Sequence, residues 1–384
     1  LGNLKTFIIF ISVVLLVYGS VNYLLLTRIT QALSLSGAKL WAVRIGLLAL
    51  IISFPLHQTL RNFGAADRIL SWVGAFWFGF MLYGLLSILI VDLLRFSDFL
   101  LGWFPNFVTA DRVATGRWTL FICSVLTISA LVGGYFVSLK PRINEHQIHL
   151  AKYRSEQASY RIVAFSDFHL GSLVGDRRLA KLVDQINQLS PDLVLIVGDL
   201  IDEPVTRLEW AEAHLKRLKA TDGVFAVSGN HEFYAGILPW VKWMYRLEIP
   251  VLRNQAVQIR DALTIVGVDD VTATRQFDVH LPPIASILSD SDRTLPILLL
   301  HHTPTRIKEA SDAGVDIMLS GHTHNGQLWP VNYITKAIFG YNAGLHKIDS
   351  LNFYLMAGAG TWGPPARPFT PPEVLVLDIS GPVY

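Results

Sequence analysis

The chain has 384 residues, of which 52% are hydrophobic and only 16% charged, and its formal net charge is +2. A mean hydropathy of +0.41 excludes an ordinary soluble globular protein, and the absence of any basic cluster excludes a nucleic-acid-binding surface. The single cysteine, Cys123, lies in an apolar run, so no disulfide framework is available.

Taken in chain order, the apolar excess comes first. Four runs before Lys140 are long enough to span a bilayer: Thr6–Leu26, Leu40–Phe54 with an extension toward Leu60, Ile69–Leu94 and Trp118–Leu139. No small-residue cleavage site follows the first run and three more spans do, which favours a span over a leader peptide. Pro55 is expected to kink or end the second helix. The few polar residues in these runs, Asn22, His57 and Asp92, read as interfacial anchors or helix–helix hydrogen bonds rather than a transport path. Phe96–Phe107, with Trp103 and Phe104, reads as an interfacial segment.

Four spans place the N-terminus and the remaining chain on one side. That side carries Lys5, Arg61, Arg68, Lys140, Arg142, Lys152 and Arg154, against Arg28, Lys39, Arg95, Arg112 and Arg117 opposite, with Arg44 ambiguous. The bias favours a cytoplasmic location for the second half.

The division expected is a four-span transmembrane region over 1–140, a polar linker over 141–159 and one large α/β domain over 160–384. His146 and His149 read as exposed linker histidines. Strand-like runs follow at Arg161–Ser166, Leu193–Val197, Val224–Ser228, Leu263–Val268, Ile297–Leu300, Asp316–Ser320, Phe353–Met356 and Val374–Ile379. Helical patterns interleave at Arg177–Leu189, Thr206–Leu218 and Leu238–Leu247. Sheets covered by helices account for this order.

Five short motifs sit directly behind predicted strands. They are Asp167-Phe168-His169, Gly198-Asp199-Leu200-Ile201-Asp202, Gly229-Asn230-His231-Glu232, His301-His302-Thr303-Pro304 and Gly321-His322-Thr323-His324. In α/β proteins the carboxyl ends of strands form the edge where ligands bind, so these loops can converge. Each motif alone is weak; all five, in order, are what a two-metal hydrolytic centre requires. Oxygen donors mixed with imidazole, without thiolate, suit Mn, Fe, Zn or Co.

This series resembles the calcineurin-like metallophosphoesterase superfamily. The resemblance covers about 160–380. Gly321-His322-Thr323-His324-Asn325-Gly326-Gln327, Gly360-Thr361-Trp362-Gly363-Pro364-Pro365-Ala366-Arg367 and Pro371-Pro372-Glu373 are similar to its bacterial membrane-associated branch, where glycine often stands in place of Asn325. The resemblance implies an α/β metallophosphoesterase domain of two facing mixed β-sheets flanked by helices, behind the four transmembrane helices. It further implies two divalent metal ions. Asp167, His169 and His324 would hold one and Asn230, His302 and His322 the other, with Asp199 bridging both. His302 rather than His301 fits the family pattern, which has a proline two residues on. His231 would stabilise or protonate the leaving oxygen, while Asp202 and Glu232 would orient histidines. Arg367 is a candidate contact to substrate phosphate, and Trp362 a candidate wall of the cleft. His214, His280 and His346 read as unrelated to the site.

The implied function is hydrolysis of a phosphate ester by attack of a metal-bridging hydroxide, in a multi-pass protein of a bacterial inner membrane. The substrate would be a phosphorylated small molecule or a lipid-linked phosphate at the bilayer. Relatives of the fold cleave UDP-2,3-diacylglucosamine, so a pyrophosphatase of that type is the specific alternative. A non-catalytic membrane receptor or scaffold would be expected to have lost a ligand. A transporter would need functional charges within its spans.

Overall fold

A computed structural model of the chain describes residues 2–59, 65–154 and 159–381. The chain divides into two compact units, 1–133 and 134–384. The first is helical: α1 (Gly2–Leu33), α2 (Gly37–Thr59), α3 (Ala65–Leu101), the short α4 (Asn106–Ala110) and α5 (Arg112–Ser138). Among the described residues, α1, α2, α3 and α5 contain stretches of 22, 20, 35 and 27 residues apolar enough to cross a membrane. At about 1.5 Å per residue, the shortest covers roughly the 30 Å hydrocarbon core of a bilayer. These helices mark the chain as membrane-associated.

Two expectations change here. Pro55 does not end α2, which continues to Thr59. Phe96–Phe107 is not one interfacial segment, because its first six residues complete α3 before α4 begins. Asn22 does bind helices together: its Nδ2 donates to Met81 Sδ of α3 at 3.3 Å, and its Oδ1 accepts from Trp77 Nε1 of α3 at 2.9 Å. Asp92 meets Arg28 across α1 and α3 at 2.5 Å. The His57 side chain lies outside the described residues.

The second unit is two mixed sheets with their faces together. The first, ordered β1-β11-β2-β3-β4, consists of Arg142–His149, Glu373–Ser380, Tyr160–Phe165, Leu193–Val197 and Val224–Val227. The second, ordered β5-β6-β7-β8-β10-β9, consists of Gln255–Ile259, Leu263–Val268, Ile297–His301, Ile317–Ser320, Leu351–Leu355 and Gly344–Ile348. Strands β2, β3 and β4 run parallel, as do β6, β7 and β8. All eight strands expected from the sequence are present, with ends moved by a residue or two.

Alternation along the strands builds three cores. In β3, Leu193, Leu195 and Val197 join Leu263, Ile265, Leu298 and Leu300 between the sheets. Val194 and Ile196 point the other way, onto Leu179 and Leu182 of α6 (Asp176–Gln188) and onto Trp240 and Trp243 of the helix Ile237–Arg246. Leu299, Met318 and Phe353 form the outer core of the second sheet with Ile284 and Leu288. A strand buried on both faces reads as an unbroken apolar run, which is why β3 is so plain in the sequence.

The segment read as a linker, 141–159, is corrected in part. Residues 142–149 form β1, which pairs in parallel with β11 over eight residues. Residues 155–158 of that segment lie outside the described residues.

Candidate metal centre

Five loops reach one edge of the paired sheets because each follows a strand running the same way. Asp167 and His169 follow β2, Asp199 follows β3, Asn230 follows β4, His302 follows β7, and His322 and His324 follow β8. Glycines allow the approach at two of these turns. A Cβ at Gly229 would collide with Asp199 Oδ1, and one at Gly321 with Asp167 Oδ2.

The backbone is strained where the donors sit. Asp167, His169, Asp199, His322 and His324 have φ of 53°, 57°, 51°, 71° and 51°, the left-handed region that non-glycine residues rarely adopt. Asn325 also lies there, at φ 48° and ψ 39°, which explains how asparagine stands where glycine is frequent.

Three clusters of donor atoms result, each with its atoms within 4.8 Å of one another: Asp167, His169 and His324; His169, Asp199 and His231; Asp199, His302 and His322. Asn230 Oδ1 lies 2.9 Å from His322 Nδ1 and so joins the third. His169 Nε2 and His324 Nε2 face each other at 3.0 Å. His302 Nε2 is buried with no hydrogen-bond partner, 3.1 Å from Asp199 Oδ2, while its Nδ1 donates to the Val197 carbonyl. Donor atoms this close together, with the ring nitrogens His302 Nε2 and His169 Nδ1 left without hydrogen-bond partners, fit divalent cations.

The electrostatics agree. Burial pushes the His169 imidazole down to about 3 and His322 down to about 4, keeping both neutral as metal-donor nitrogens must be. Burial also lifts Asp167 to about 6, although the nearby His302 opposes it. Burial alone would lower His302, but the Asp199 carboxylate beside it raises it.

His231 stands apart in its bonding. Its Nδ1 is 2.7 Å from Asp202 Oδ1, and its amide donates to Asp199 Oδ1 at 2.9 Å. Burial would lower its pKa, yet the Asp199 and Asp202 carboxylates push it up to about 9. Trp362, 53% exposed, sets its ring 6.0 Å from that of His231, and equally exposed Tyr234 lies at 5.6 Å. Trp362 therefore stands exposed beside His231. His301 turns away to Thr305 at 3.0 Å and joins no cluster. His146 and His149 lie in β1, and His214 pairs with Asp176.

Two expectations are corrected. Glu232 does not orient a histidine: its carboxylate accepts from the amides of Asp199, Leu200, Ile201 and Gly229 at 2.7 to 3.1 Å, clamping the loop that carries Asp199. Arg367 does not face substrate. It is fully buried, donating to the carbonyls of Gly360, Ala357 and His324, with Nη2 3.0 Å from His324 Nδ1. It is thus a brace behind His324. Arg367→Lys keeps the charge but cannot reach all three carbonyls, and an unpaired buried acceptor costs about 1–3 kcal/mol. For a unit of this size the unfolding midpoint is expected to fall by at least about 2 °C. A calorimetric scan with the midpoint unchanged would refute the brace.

One contributor escaped the sequence reading. Asp270, buried two residues beyond β6, accepts from the Thr272 amide at 2.9 Å and from the Thr303 amide at 3.3 Å, next to His302. The signal was available, since Val268-Asp269-Asp270 ends a predicted strand as the ligand motifs do.

Comparison with known proteins matches residues 160–326 to the calcineurin-like phosphoesterase family. An uncharacterized metallophosphoesterase of Aquifex aeolicus is 31% identical over 264 residues, covering 68% of this chain and 99% of that protein. One from Helicobacter pylori is 35% identical over 247 residues, covering 64% of this chain and 65% of its own length. A Danio rerio transmembrane protein with a metallophosphoesterase domain is 31% identical over 270 residues, covering 67% and 62%. The chain thus spans slightly less than two thirds of the Helicobacter and Danio proteins. The chain belongs to the calcineurin-like phosphoesterase family. Its relatives include animal as well as bacterial proteins, so the resemblance is wider than a bacterial branch.

Proposed function

We propose that the chain is a membrane-anchored, metal-dependent phosphoesterase. The observation that carries this reading is the sharing of Asp199 between two donor clusters, one with His169 and His231 and one with His302 and His322. In this reading Asp167, His169 and His324 hold one divalent cation and Asn230, His302 and His322 the other, with Asp199 serving both. Such ions, of the Mn, Fe, Zn or Co class, supply Lewis-acid polarisation of phosphoryl oxygens and acidify water. The chain's own part is to hold and place. Glu232 and Asp270 fix the loops that carry Asp199 and His302, and Arg367 fixes His324. Asp202 takes His231 Nδ1, leaving Nε2 to hold a proton for the leaving oxygen. A cation on Asp199 would remove part of the pull on that proton and leave the Asp202 contact.

Full-length protein stripped with a chelator is expected to lose hydrolysis of aryl phosphates, and to regain it on adding Mn. Hydrolysis indifferent to chelation would sink the metal-dependent mechanism.

A lipid-linked substrate, including a UDP-2,3-diacylglucosamine-type pyrophosphate, is favoured by the apolar rim. Tyr234 and Trp362 are exposed beside His231, and Phe339 packs on His322 at the end of a helix that exposes Tyr333, Ile334 and Ile338. Assayed side by side with the metal-loaded protein, UDP-diacylglucosamine is expected to be cleaved with a lower KM than a soluble bis-aryl phosphate. Equal KM values would remove the lipid preference.

We infer a cytoplasmic side for this domain from the Lys and Arg bias, within a bacterial inner membrane. A reporter active only after export, fused after Tyr384, is then expected to stay silent. A strong signal would reverse the topology.

A further inference from the structure

The helical unit contains a feature that phosphoester hydrolysis does not use. A cavity of about 250 Å³ opens between α1, α3 and α5. Its body is apolar, lined by Leu25, Ile29, Phe80, Ile88, Val91 and Leu120. Its charged groups are Arg28, Arg95 and Arg112 against the single carboxylate of Asp92. Gly84 and Gly116 also line it and leave room; a Cβ at Gly84 would press on Leu25 Cδ2 at 2.8 Å.

The charges do not cancel. Asp92 is taken by Arg28 at 2.5 Å, and Arg95 reaches the same carboxylate only at 4.0 Å. The side chain of Arg112, first residue of α5, has no hydrogen bond or ion pair among the described residues. Two guanidinium groups therefore remain beside an apolar slot, near the end of α1 and the start of α5. Ionisable groups facing a cavity inside a helix bundle are costly unless they meet a counter-charge. A guanidinium is also the group best shaped to hold a phosphate by paired hydrogen bonds.

We propose that this cavity binds an anionic phospholipid, with the phosphate between Arg95 and Arg112 and the first part of an acyl chain against Leu25, Phe80 and Leu120. The apolar body decides for a lipid over a free phosphate, which would leave that surface unfilled. The volume decides how much enters. Sites for whole drug-sized ligands run from about 300 Å³ upward, so the headgroup and the upper chain fit while the rest stays in the bilayer. Basic pockets between membrane helices on the cytoplasmic side select anionic headgroups; by the Lys and Arg bias this pocket opens to the opposite leaflet, where the same guanidinium chemistry applies.

The test uses the full-length chain, delipidated in neutral detergent and titrated with phosphatidylglycerol or phosphatidylcholine, with bound lipid counted by native mass spectrometry. Phosphatidylglycerol is expected to be retained in preference to phosphatidylcholine. Arg95 and Arg112 are exposed, so the double variant R95Q/R112Q keeps the Arg28–Asp92 contact and is expected to retain phosphatidylglycerol at least about tenfold more weakly. Gly116→Leu leaves every charge in place and narrows the slot; it is expected to lose the lipid as well. Equal retention of the two lipids overturns the proposal, as does retention unchanged in both variants. A shift of the unfolding midpoint by inorganic phosphate as large as that by phosphatidylglycerol would replace the lipid with an ion.

Discussion

Asp199→Asn is expected to lower phosphoester hydrolysis by about 10³-fold or more, and to reduce bound metal below two ions per chain. The magnitude follows from the several kcal/mol that metal polarisation contributes, at about 1.4 kcal/mol per tenfold in rate. Asparagine matches the shape of aspartate and can still accept the 2.9 Å hydrogen bond from the His231 amide. What it removes is the charge that lies 3.1 Å from His302 and 3.8 Å from His169. The paired readout is steady-state turnover with elemental analysis of the purified variant. Full turnover with full metal content would end the bridging role.

His231→Asn is expected to behave differently. Metal content should stay at the wild-type level, because His231 Nδ1 is engaged by Asp202 at 2.7 Å and its role lies with the leaving group. Loss of a positioned proton donor typically costs about 10²–10⁴-fold. That cost should be large for an alkyl phosphate, whose leaving oxygen needs a proton, and small for a nitrophenyl phosphate, whose phenolate leaves unaided. Asp202→Asn should show the same leaving-group dependence with a smaller loss, about 10–100-fold. Equal losses on both substrates would remove His231 from proton transfer.

The two variants also separate parts of the molecule that differ in how openly the sequence displays them. The donor residues were legible because each follows a buried strand whose apolar run is continuous, as in β3. The strands that escaped, β1, β5 and β9, are half-exposed edges such as Arg142–His149 and Gly344–Ile348, whose polar composition gives no burial signature. The helices Thr272–Phe277, Ile284–Ile287 and Ile307–Asp312 are too short to establish a 3.6-residue period. Supporting roles were the hardest to read. Whether Arg367 meets substrate or braces His324 depends on the path of the loop 357–367, and nothing local to the sequence fixes that path. Glu232 was visible as a carboxylate near the site, but its four amide partners come from two separate loops.

β1 has a consequence beyond its place in the sheet. Without it, β11 would present an open row of amides and carbonyls to any neighbouring chain, the usual starting point of edge-to-edge aggregation. β1 closes that row over eight residues and turns Arg142, Glu145, Gln147 and His149 to solvent, a polar fringe unfavourable to another strand. The matched family segment begins only at residue 160, so this protection is supplied by chain outside it. The stretch that leads out of the last membrane helix is therefore also the one that keeps the sheet from recruiting a second copy of itself.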